Sequence, residues 1–589
     1  MRRIGPKFSA RTGLPGFPWS SHRRRLQRGK RLWPVSPLYG PGPGGGFVMA
    51  QAVPPMPEAP QAPRRRSRLW MWVAIGVAAA VVLAGVGVYY LATRPPAISV
   101  VTYATSSEMV TLDPSTEFSN SILVLTQVYE GLTRFNPATQ TAEPLLATSW
   151  TSTPDGLTWT FTLREGVVFH DGTPFNASAV KFSIDRTIRL GAGASFIWFP
   201  VNRTEVVGEF QIRFVLDFPA PVDWIASAGY GAWIFSPNTP GATDAEMTAW
   251  FNEGHDSGTG PWTINTAQYS VSRVLLDRFP AYWGGWRPGQ FDNAVIRVIA
   301  DPATREASVK AGDVDITMDP PVQDLANLQA DARLRVFVGP SYRSMYAFFN
   351  SGSGPTANLS VRRALAYAIP YEDVITVAVG GLGSQPRGVI PAGMWGHDPT
   401  LPQYEFDLVR AQQLLAQAGY PTGGFTLTLT YTLGDLFEQK FAELYKEQLA
   451  TLGITLDIQG LPWEAQWARA QAGPEGAQDI FVMYWWPTYI TPYDFLWNMF
   501  HSASYAFFNL GYYNNSAFDL TIDTASTLEA TDRATAWEMY SDSQQMLVDD
   551  VPAVGVVDLK NFMLYRAELK GFVDNPAYPL VVFFYELSR

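Results

Sequence analysis

The run from Met483 to Trp497, MYWWPTYITPYDFLW, concentrates the side chains best suited to binding a ligand. Indole and phenol rings combine a large apolar face with one hydrogen-bonding edge. Two interpretations stay open at this point. The rings pack in the core, or the run, broken by Pro487 and Pro492, forms a loop that presents them to a ligand.

The sequence contains none of the local motifs that carry catalysis. It has no Cys, no G-x-S-x-G elbow, no phosphate loop and no H-E-x-x-H pair. Its five His are widely separated and show no metal-ligand spacing: His22, His170, His255, His397 and His501. We therefore expect no enzyme activity, no cofactor and no metal site. A glycosidase pair of carboxylates stays open, because such residues are distant in sequence.

Charge is distributed very unevenly along the 589 residues. Residues 1–94 contain 15 Lys and Arg against one acid, Glu58, whereas residues 95–589 contain 28 Lys and Arg against 52 Asp and Glu, a net charge of -24. Residues 95–589 would repel the phosphates of a nucleic acid because of this negative charge. We therefore expect no nucleic-acid partner.

The first 94 residues resemble a leader and an anchor. Residues 1–68 form a basic, Arg- and Pro-rich leader that predicts disorder, and Met49 is an alternative start to Met1. Residues 69–92 are an uncharged run of 24 residues, long enough at ~1.5 Å per residue to cross a ~30 Å hydrocarbon layer. Four Arg precede the run, so the positive-inside rule predicts a single-pass cell-membrane protein with residues 95–589 outside the cell. A cleaved signal peptide is the alternative.

Further along, the segment from Trp159 to Arg186 predicts a strand, a turn and a helix. Trp159, Phe161 and Leu163 alternate with polar residues, as a half-buried strand requires. Asp171-Gly172 indicates a turn, and the run from Ala177 to Ile184 has helical spacing. Similar strand and helix patterns follow, so the sequence predicts a mixed α/β fold.

A series of short motifs in this order resembles the extracytoplasmic solute-binding proteins of family 5, the oligopeptide- and dipeptide-binding components of ABC importers. The motifs are LDP (112–114), YEGL (129–132), PLLATSW (144–150), the segment 159–186, GTGPW (258–262), AYWGG (281–285), AGDVDI (311–316), FN (349–350), VRRALAYAI (361–369) and the spaced A…LL…AGYP (411–421).

The resemblance implies a two-lobed, hinged α/β fold of the periplasmic-binding-protein-like type II, with an extra subdomain on lobe I. The N-terminal transmembrane helix predicted above precedes this fold. The resemblance further implies that ligand lies between the lobes, which close by hinge motion. The implied domains are lobe I at 98–138, 256–349 and 554–589, an accessory subdomain on lobe I at 139–255, and lobe II at 350–553.

The resemblance also implies the residues that line the cleft. The segment before LDP corresponds to Glu108, Met109 and Val110, and a polar cleft position of the family corresponds to Phe437. Trp463 and Trp485 look like the two tryptophans that line the cleft in members of the family. Trp486, Thr488 and Tyr489 follow in the same loop. Peptide binders usually have an Asp at the position of Thr488, where it pairs with the ligand's α-ammonium, and a hydroxyl cannot neutralise that charge.

The function that follows from this resemblance is capture of oligopeptides for import. The resemblance implies an ABC permease and separate ATPase subunits as partners, and the lack of a phosphate loop in this chain is consistent with ATP hydrolysis by those subunits. Uncharged aromatic walls would also suit an oligosaccharide. A cell-surface hydrolase or a structural glycoprotein is the alternative from another class.

Overall fold

The structure, a computed structural model, describes residues 69–93, 98–504, 507–578 and 580–589. The chain divides into two compact units, one ending at Arg94 and the other beginning at Pro95. The predicted leader at 1–68 lies outside the described residues. In the first unit a helix forms over Leu69–Thr93.

The predicted transmembrane anchor at 69–92 coincides with this helix but is not supported. Across the described ranges, no helix is both long enough and apolar enough to cross a membrane.

The second unit contains two large sheets, which confirms the predicted mixed α/β, two-lobed architecture. The first sheet, at the centre of lobe I, has its middle strand Val100–Thr105 parallel to both of its neighbours. Its seven strands, in spatial order, are Leu334–Gly339, Asn561–Arg566, Ile316–Met318, Val100–Thr105, Asn293–Val298, Arg273–Arg278 and Trp262–Ile264.

The second sheet, at the centre of lobe II, contains the strand that leads into the aromatic run. This strand, Ile480–Trp485, is almost entirely buried. The six strands, in spatial order, are Gly383–Ser384, Ala553–Leu559, Ser344–Phe349, Ile480–Trp485, Thr426–Thr432 and Thr455–Leu461.

Sheet membership differs from the predicted lobe limits at two strands. Ser344–Phe349 and most of Ala553–Leu559 fall within the stretches expected in lobe I, yet both strands pair in the second sheet. All six residues of Ser344–Phe349 are buried, so its apolar side chains are covered on both faces and show no alternation. The chain therefore passes between the sheets near residues 340–343 and again at Lys560.

The stretch predicted as the accessory subdomain, 139–255, contains an antiparallel sheet of four strands, in the order Ala147–Ser152, Thr158–Leu163, Gln211–Leu216 and Val201–Gly208. A two-stranded ribbon, Thr133–Asn136 with Thr141–Pro144, precedes it. The predicted alternation is confirmed, because Trp159, Phe161 and Leu163 are all buried. The predicted helix is also present, and the side chain of Asn176 caps its N-terminus by accepting from the Ser178 and Ala179 backbone N–H groups.

Helices cover the faces of these sheets and connect their strands. In chain order they are Ile122–Val128, Ala177–Leu190, Val222–Ile225, Asp244–Asn252, Pro302–Ala311, Leu325–Ala330, Leu359–Tyr367, Tyr371–Asp373, Leu408–Gln417, Leu436–Thr451, Trp463–Ala470, Pro492–Phe500, Ser516–Leu528 and Arg533–Asp550.

A fully buried ion pair ties the accessory subdomain to lobe I. Arg186, on helix Ala177–Leu190, donates from Nη1 and Nη2 to the two carboxylate oxygens of Asp113, each at 2.7 Å. Thr248 Oγ1 and the Ser115 backbone N–H also donate to this carboxylate, at 2.6 and 2.9 Å. Neither Arg186 nor Asp113 has any exposed side-chain surface. Asp113 belongs to the LDP motif, so this motif has a structural role.

We expect Arg186→Ala to lower the free energy of unfolding by about 3–5 kcal/mol, because it leaves the Asp113 carboxylate buried without a countercharge. Urea unfolding followed by circular dichroism measures this loss. Arg203→Ala, which removes an Arg that is 56% exposed and paired with Glu205, is the control and should change stability by at most ~1 kcal/mol. Equal losses in the two variants would contradict the assigned role.

Candidate ligand-binding cleft

A cavity of about 400 Å³ lies between the two sheets. On the lobe I side, Ser106 and Ser107 follow the carboxyl end of strand Val100–Thr105. On the lobe II side, the segment 432–437 joins strand Thr426–Thr432 to helix Leu436–Thr451. Both walls lie where strands with parallel partners end, the position at which open α/β sheets commonly bind ligands.

Charged groups of both signs surround this cavity. Arg343, at the passage between the sheets, donates to both carboxylate oxygens of Asp319, at 3.0 and 3.2 Å. On the lobe II side, Asp435 Oδ1 accepts from the Tyr484 hydroxyl at 2.8 Å and from the Phe437 backbone N–H at 3.0 Å. Burial raises the pKa of Asp435 above its usual range. The cavity can therefore supply both donors and acceptors to a polar ligand.

Of the predicted cleft residues, Phe437 lines this cavity and is half-buried. Glu108 and Val110 are exposed, directly after the lining residue Ser107. Met109 is buried, and its backbone N–H donates to the carbonyl of Val271 at 2.9 Å. Hence the segment 108–110 lies at the margin of the cavity with its side chains pointing alternately outward and inward.

Trp463 and Trp485 are brought together in one interlobe aromatic cluster, formed by Phe118, Trp463, Trp467, Trp485 and Phe508. The ring of Phe118, from lobe I, lies 6.4 Å from Trp485 and 5.1 Å from Phe508. Phe508 lies 5.1 Å from Trp485 and 5.5 Å from Trp467, and Trp467 lies 5.2 Å from Trp463, all between ring centroids. The cluster closes the space between the lobes.

Sequence reasoning did not identify Phe118, Trp467 or Phe508. These residues belong to stretches without a recognisable pattern, and Phe118 is more than 300 positions from Trp485, whose ring it contacts. Only their position in the folded chain reveals them.

The loop after Trp485 is held by a buried carboxylate. Asp494 Oδ2 accepts from the Thr488 backbone N–H at 3.0 Å and from Trp485 Nε1 at 3.3 Å. The Thr488 carbonyl accepts from the Gly229 backbone N–H of the accessory subdomain at 3.1 Å. Thr488 and Tyr489 are buried, whereas Trp486 is half-buried. Asp494 thus positions the loop that contains these predicted site residues.

A second contact joins the accessory subdomain to lobe II. The guanidinium carbon of Arg533 lies 4.3 Å from the ring centroid of Trp224 and 4.1 Å from that of Trp395. Trp224 belongs to the accessory subdomain, and Trp395 and Arg533 belong to lobe II. A cation between two indole faces is attracted to both ring quadrupoles. This contact joins the stretch predicted as the accessory subdomain to the stretch predicted as lobe II.

Among the residues described, no group of three or more His, Asp or Glu side chains is arranged to hold a metal ion.

Burial raises the pKa of the Asp494 carboxyl to about 7. The unfolded value is about 3.9, so the folded state binds the proton more tightly. Stability therefore falls as the pH rises from about 4 to about 7. Between pH 5 and pH 8, wild type should lose about 2–3 kcal/mol of unfolding free energy relative to Asp494→Asn, at ~1.4 kcal/mol per pH unit. Urea unfolding at both pH values measures the difference.

The exposed Asp457→Asn variant is the control for this measurement and should follow the wild-type pH dependence. Parallel curves for wild type and Asp494→Asn would show that the buried carboxyl does not titrate in this range.

The chain is similar to known solute-binding proteins. The sequence profile described as Bacterial extracellular solute-binding proteins, family 5 Middle, matches residues 141–507. The probable D,D-dipeptide-binding periplasmic protein DdpA of Escherichia coli K12 is 30% identical over 474 residues, which cover 79% of this chain and 90% of that protein. The glutathione-binding protein GsiB of Pectobacterium atrosepticum is 29% identical over 522 residues, 86% of this chain and 96% of that protein.

Solved structures share the fold. The periplasmic binding protein DppA from Helicobacter pylori, in complex with peptide STSA, has a TM-score of 0.74 and 24% identity and covers 83% of this chain and 98% of its own. The dipeptide-binding protein from Pseudoalteromonas sp. SM9913, in complex with Met-Leu, has a TM-score of 0.74 and 23% identity and covers 83% of this chain and 100% of its own.

These findings confirm the predicted resemblance and the expected lack of enzyme activity, because the proteins of this family bind solutes outside the cytoplasm and are not enzymes. By the extent of the profile match and the identity to its relatives, the chain belongs to the bacterial extracellular solute-binding proteins of family 5, the binding components of ABC importers.

Proposed function

We propose that this protein captures a short peptide between its lobes and delivers it to an ABC permease driven by separate ATPase subunits. The observation that carries the proposal is the cavity between the two sheets. Its volume of about 400 Å³ is within the range of small-molecule sites, ~300–1,000 Å³. Backbone segments and charged side chains surround it, as a zwitterionic, hydrogen-bonding ligand requires.

The names of the relatives support a peptide ligand. The proteins DdpA and GsiB are described as binding a D,D-dipeptide and glutathione. Another relative, 29% identical, is heme-binding protein A of Haemophilus influenzae, so the family fold accepts more than one ligand class. The peptide assignment therefore depends on the cavity of this chain as well as on similarity.

In this proposal the cleft residues have unequal roles. Phe437 contacts the ligand directly, and the segment 108–110 offers the Glu108 carboxylate and backbone groups at the margin of the cavity. Trp463 and Trp485 report closure through the interlobe aromatic cluster, with Trp486, Thr488 and Tyr489 in the adjoining loop. Closure brings together side chains of both lobes, and this would link binding to the signal that the permease receives.

A peptide is favoured over an oligosaccharide by the packing of Trp485. Sugar recognition by stacking needs a free ring face, but Trp485 is only 6% exposed. Phe118 and Phe508 both pack against its ring. The ring is thus used for contact between the lobes.

Thermal unfolding of the full chain tests the proposal against libraries of di- to tetrapeptides and of malto- and cello-oligosaccharides. A peptide at 100 times its Kd should stabilise the folded state by about 2.7 kcal/mol, seen as a higher Tm. We expect shifts with peptides and none with sugars. Shifts with sugars alone, or with neither library, would refute the proposal.

A matched pair of variants then locates the site. Phe437→Ala should weaken binding of the best peptide about tenfold, because burying an aromatic ring face contributes on the order of 1–2 kcal/mol. Phe406→Ala, which removes a lobe II phenylalanine that is 45% exposed and outside the cavity, should leave Kd unchanged. Isothermal titration calorimetry measures both. Equal Kd values for the two variants would exclude Phe437 from the site.

A further inference from the structure

The lobe II side of the cavity between the sheets carries apolar side chains that the protein itself leaves uncovered. We call this surface the apolar wall and define it by Val377, Leu433 and Leu436, all of which line the cavity. The three residues are 53%, 61% and 44% exposed, in that order. Single apolar side chains on a protein surface are ordinary. Three of them on one side of one cavity form a patch, and such patches mark binding surfaces.

The backbone holds the two leucines of the apolar wall in fixed positions. The Leu433 backbone N–H donates to the Leu461 carbonyl at 2.8 Å, so Leu433 continues the pairing of the two strands that end beside it. Leu436 begins the helix that the side chain of Asp435 caps. The apolar wall is therefore formed by paired and capped backbone, and a ligand need not order it.

Apolar residues also line the cavity on the lobe I side. They are Met318, Pro320, Pro321 and Val322. The lobes touch beside Val322, because a Cβ placed on Gly380 of lobe II would lie only 2.8 Å from Val322 Cβ. A ligand group held between the two sides at this edge is therefore removed from most of the surrounding water.

The polar side chains beside the apolar wall are bonded to one another. Gln439 Nε2 donates to Glu443 Oε1 at 3.0 Å, and Lys440 Nζ donates to Glu443 Oε2 at 2.6 Å. Thr432 Oγ1 donates to Gln466 Oε1 at 3.1 Å. A charged ligand side chain that entered here would leave water and meet charges that are already matched, which is unfavourable.

We infer that the apolar wall selects ligands by an uncharged, apolar side chain of the size of leucine, isoleucine or methionine. This inference rests on the proposed function, which supplies a peptide as the ligand, and it narrows that ligand to peptides with such a side chain. The side chain covers the apolar wall, and both surfaces gain by leaving water. The specificity of capture is thus set by Val377, Leu433 and Leu436.

The first experiment compares side chains of equal size. In the tightest-binding peptide from the thermal screen, each position in turn is replaced by leucine, asparagine or aspartate, whose side chains contain the same number of non-hydrogen atoms. Calorimetry should show at least one position at which leucine binds about tenfold or more tighter than asparagine and aspartate, the factor expected from burying one leucine side chain. Equal affinities at every position would overturn the inference.

Variants assign the preference to the apolar wall. Leu433→Asn and Leu436→Asn keep the size of the side chain but make it polar, and each should reduce the ratio of the asparagine-peptide Kd to the leucine-peptide Kd about fivefold or more. Leu520→Asn, the same change at a lobe II leucine that is 69% exposed and outside the cavity, is the control and should keep the wild-type ratio. An unchanged ratio in both wall variants would overturn the inference. The ratio compares two peptides on one variant, so a general loss of folded protein does not alter it.

A second probe separates this inference from the proposed function. N-phenyl-1-naphthylamine is uncharged and apolar, and its fluorescence rises when it leaves water. The rise should be smaller for Leu433→Asn than for wild type and for Leu520→Asn. Peptides that bind without any preference for leucine would overturn the inference and leave the proposed function intact. Probe fluorescence that depends on Leu433, without any peptide binding, would uphold the apolar wall as a binding surface and refute peptide capture.

Discussion

Two short segments of the chain connect the two large sheets, and they determine how the lobes are joined. Strand Leu334–Gly339 of the first sheet is followed, after residues 340–343, by strand Ser344–Phe349 of the second. The chain returns through Lys560 alone, between strands Ala553–Leu559 and Asn561–Arg566. The Leu559 backbone N–H donates to the Arg343 carbonyl at 3.0 Å, which ties the two segments to each other. Two such short connections are the arrangement expected of a hinge between the lobes.

This hinge explains the arrangement of the cleft. The cavity lies next to the hinge, where Arg343 pairs with Asp319, and the interlobe aromatic cluster lies between the lobes and buries their rings on closure. Rings from separate lobes contribute area only when the lobes meet, whereas the hinge charges are paired already. Under the proposed function, ligand binding draws on apolar burial that the open state lacks, while Arg343 and Asp319 are paired at the hinge.

Much of the fold was predictable from local pattern, and much of the site was not. The strand Thr158–Leu163 alternates because one face is solvated, so its burial could be foreseen. Ser344–Phe349 is buried on both faces, so nothing in its composition indicates which sheet it joins. The role of Trp485 was inferred from resemblance, but its neighbour Phe118 becomes visible only in three dimensions. Asp494 stands within an aromatic helix, and no local pattern distinguishes a buried carboxylate from a solvated one.

The position of Arg533 between Trp224 and Trp395 has a consequence for the conditions under which the protein closes. A guanidinium keeps its proton throughout the physiological pH range. Its attraction to the ring faces needs no change in its own protonation, whereas Glu529 and Asp223, which also act on Arg533, have pKa values raised by burial. A protein that works outside the cytoplasm meets acidities that the cell does not buffer. The ring contacts of Arg533 therefore join Trp224 to Trp395 whether or not these carboxyl groups are ionised.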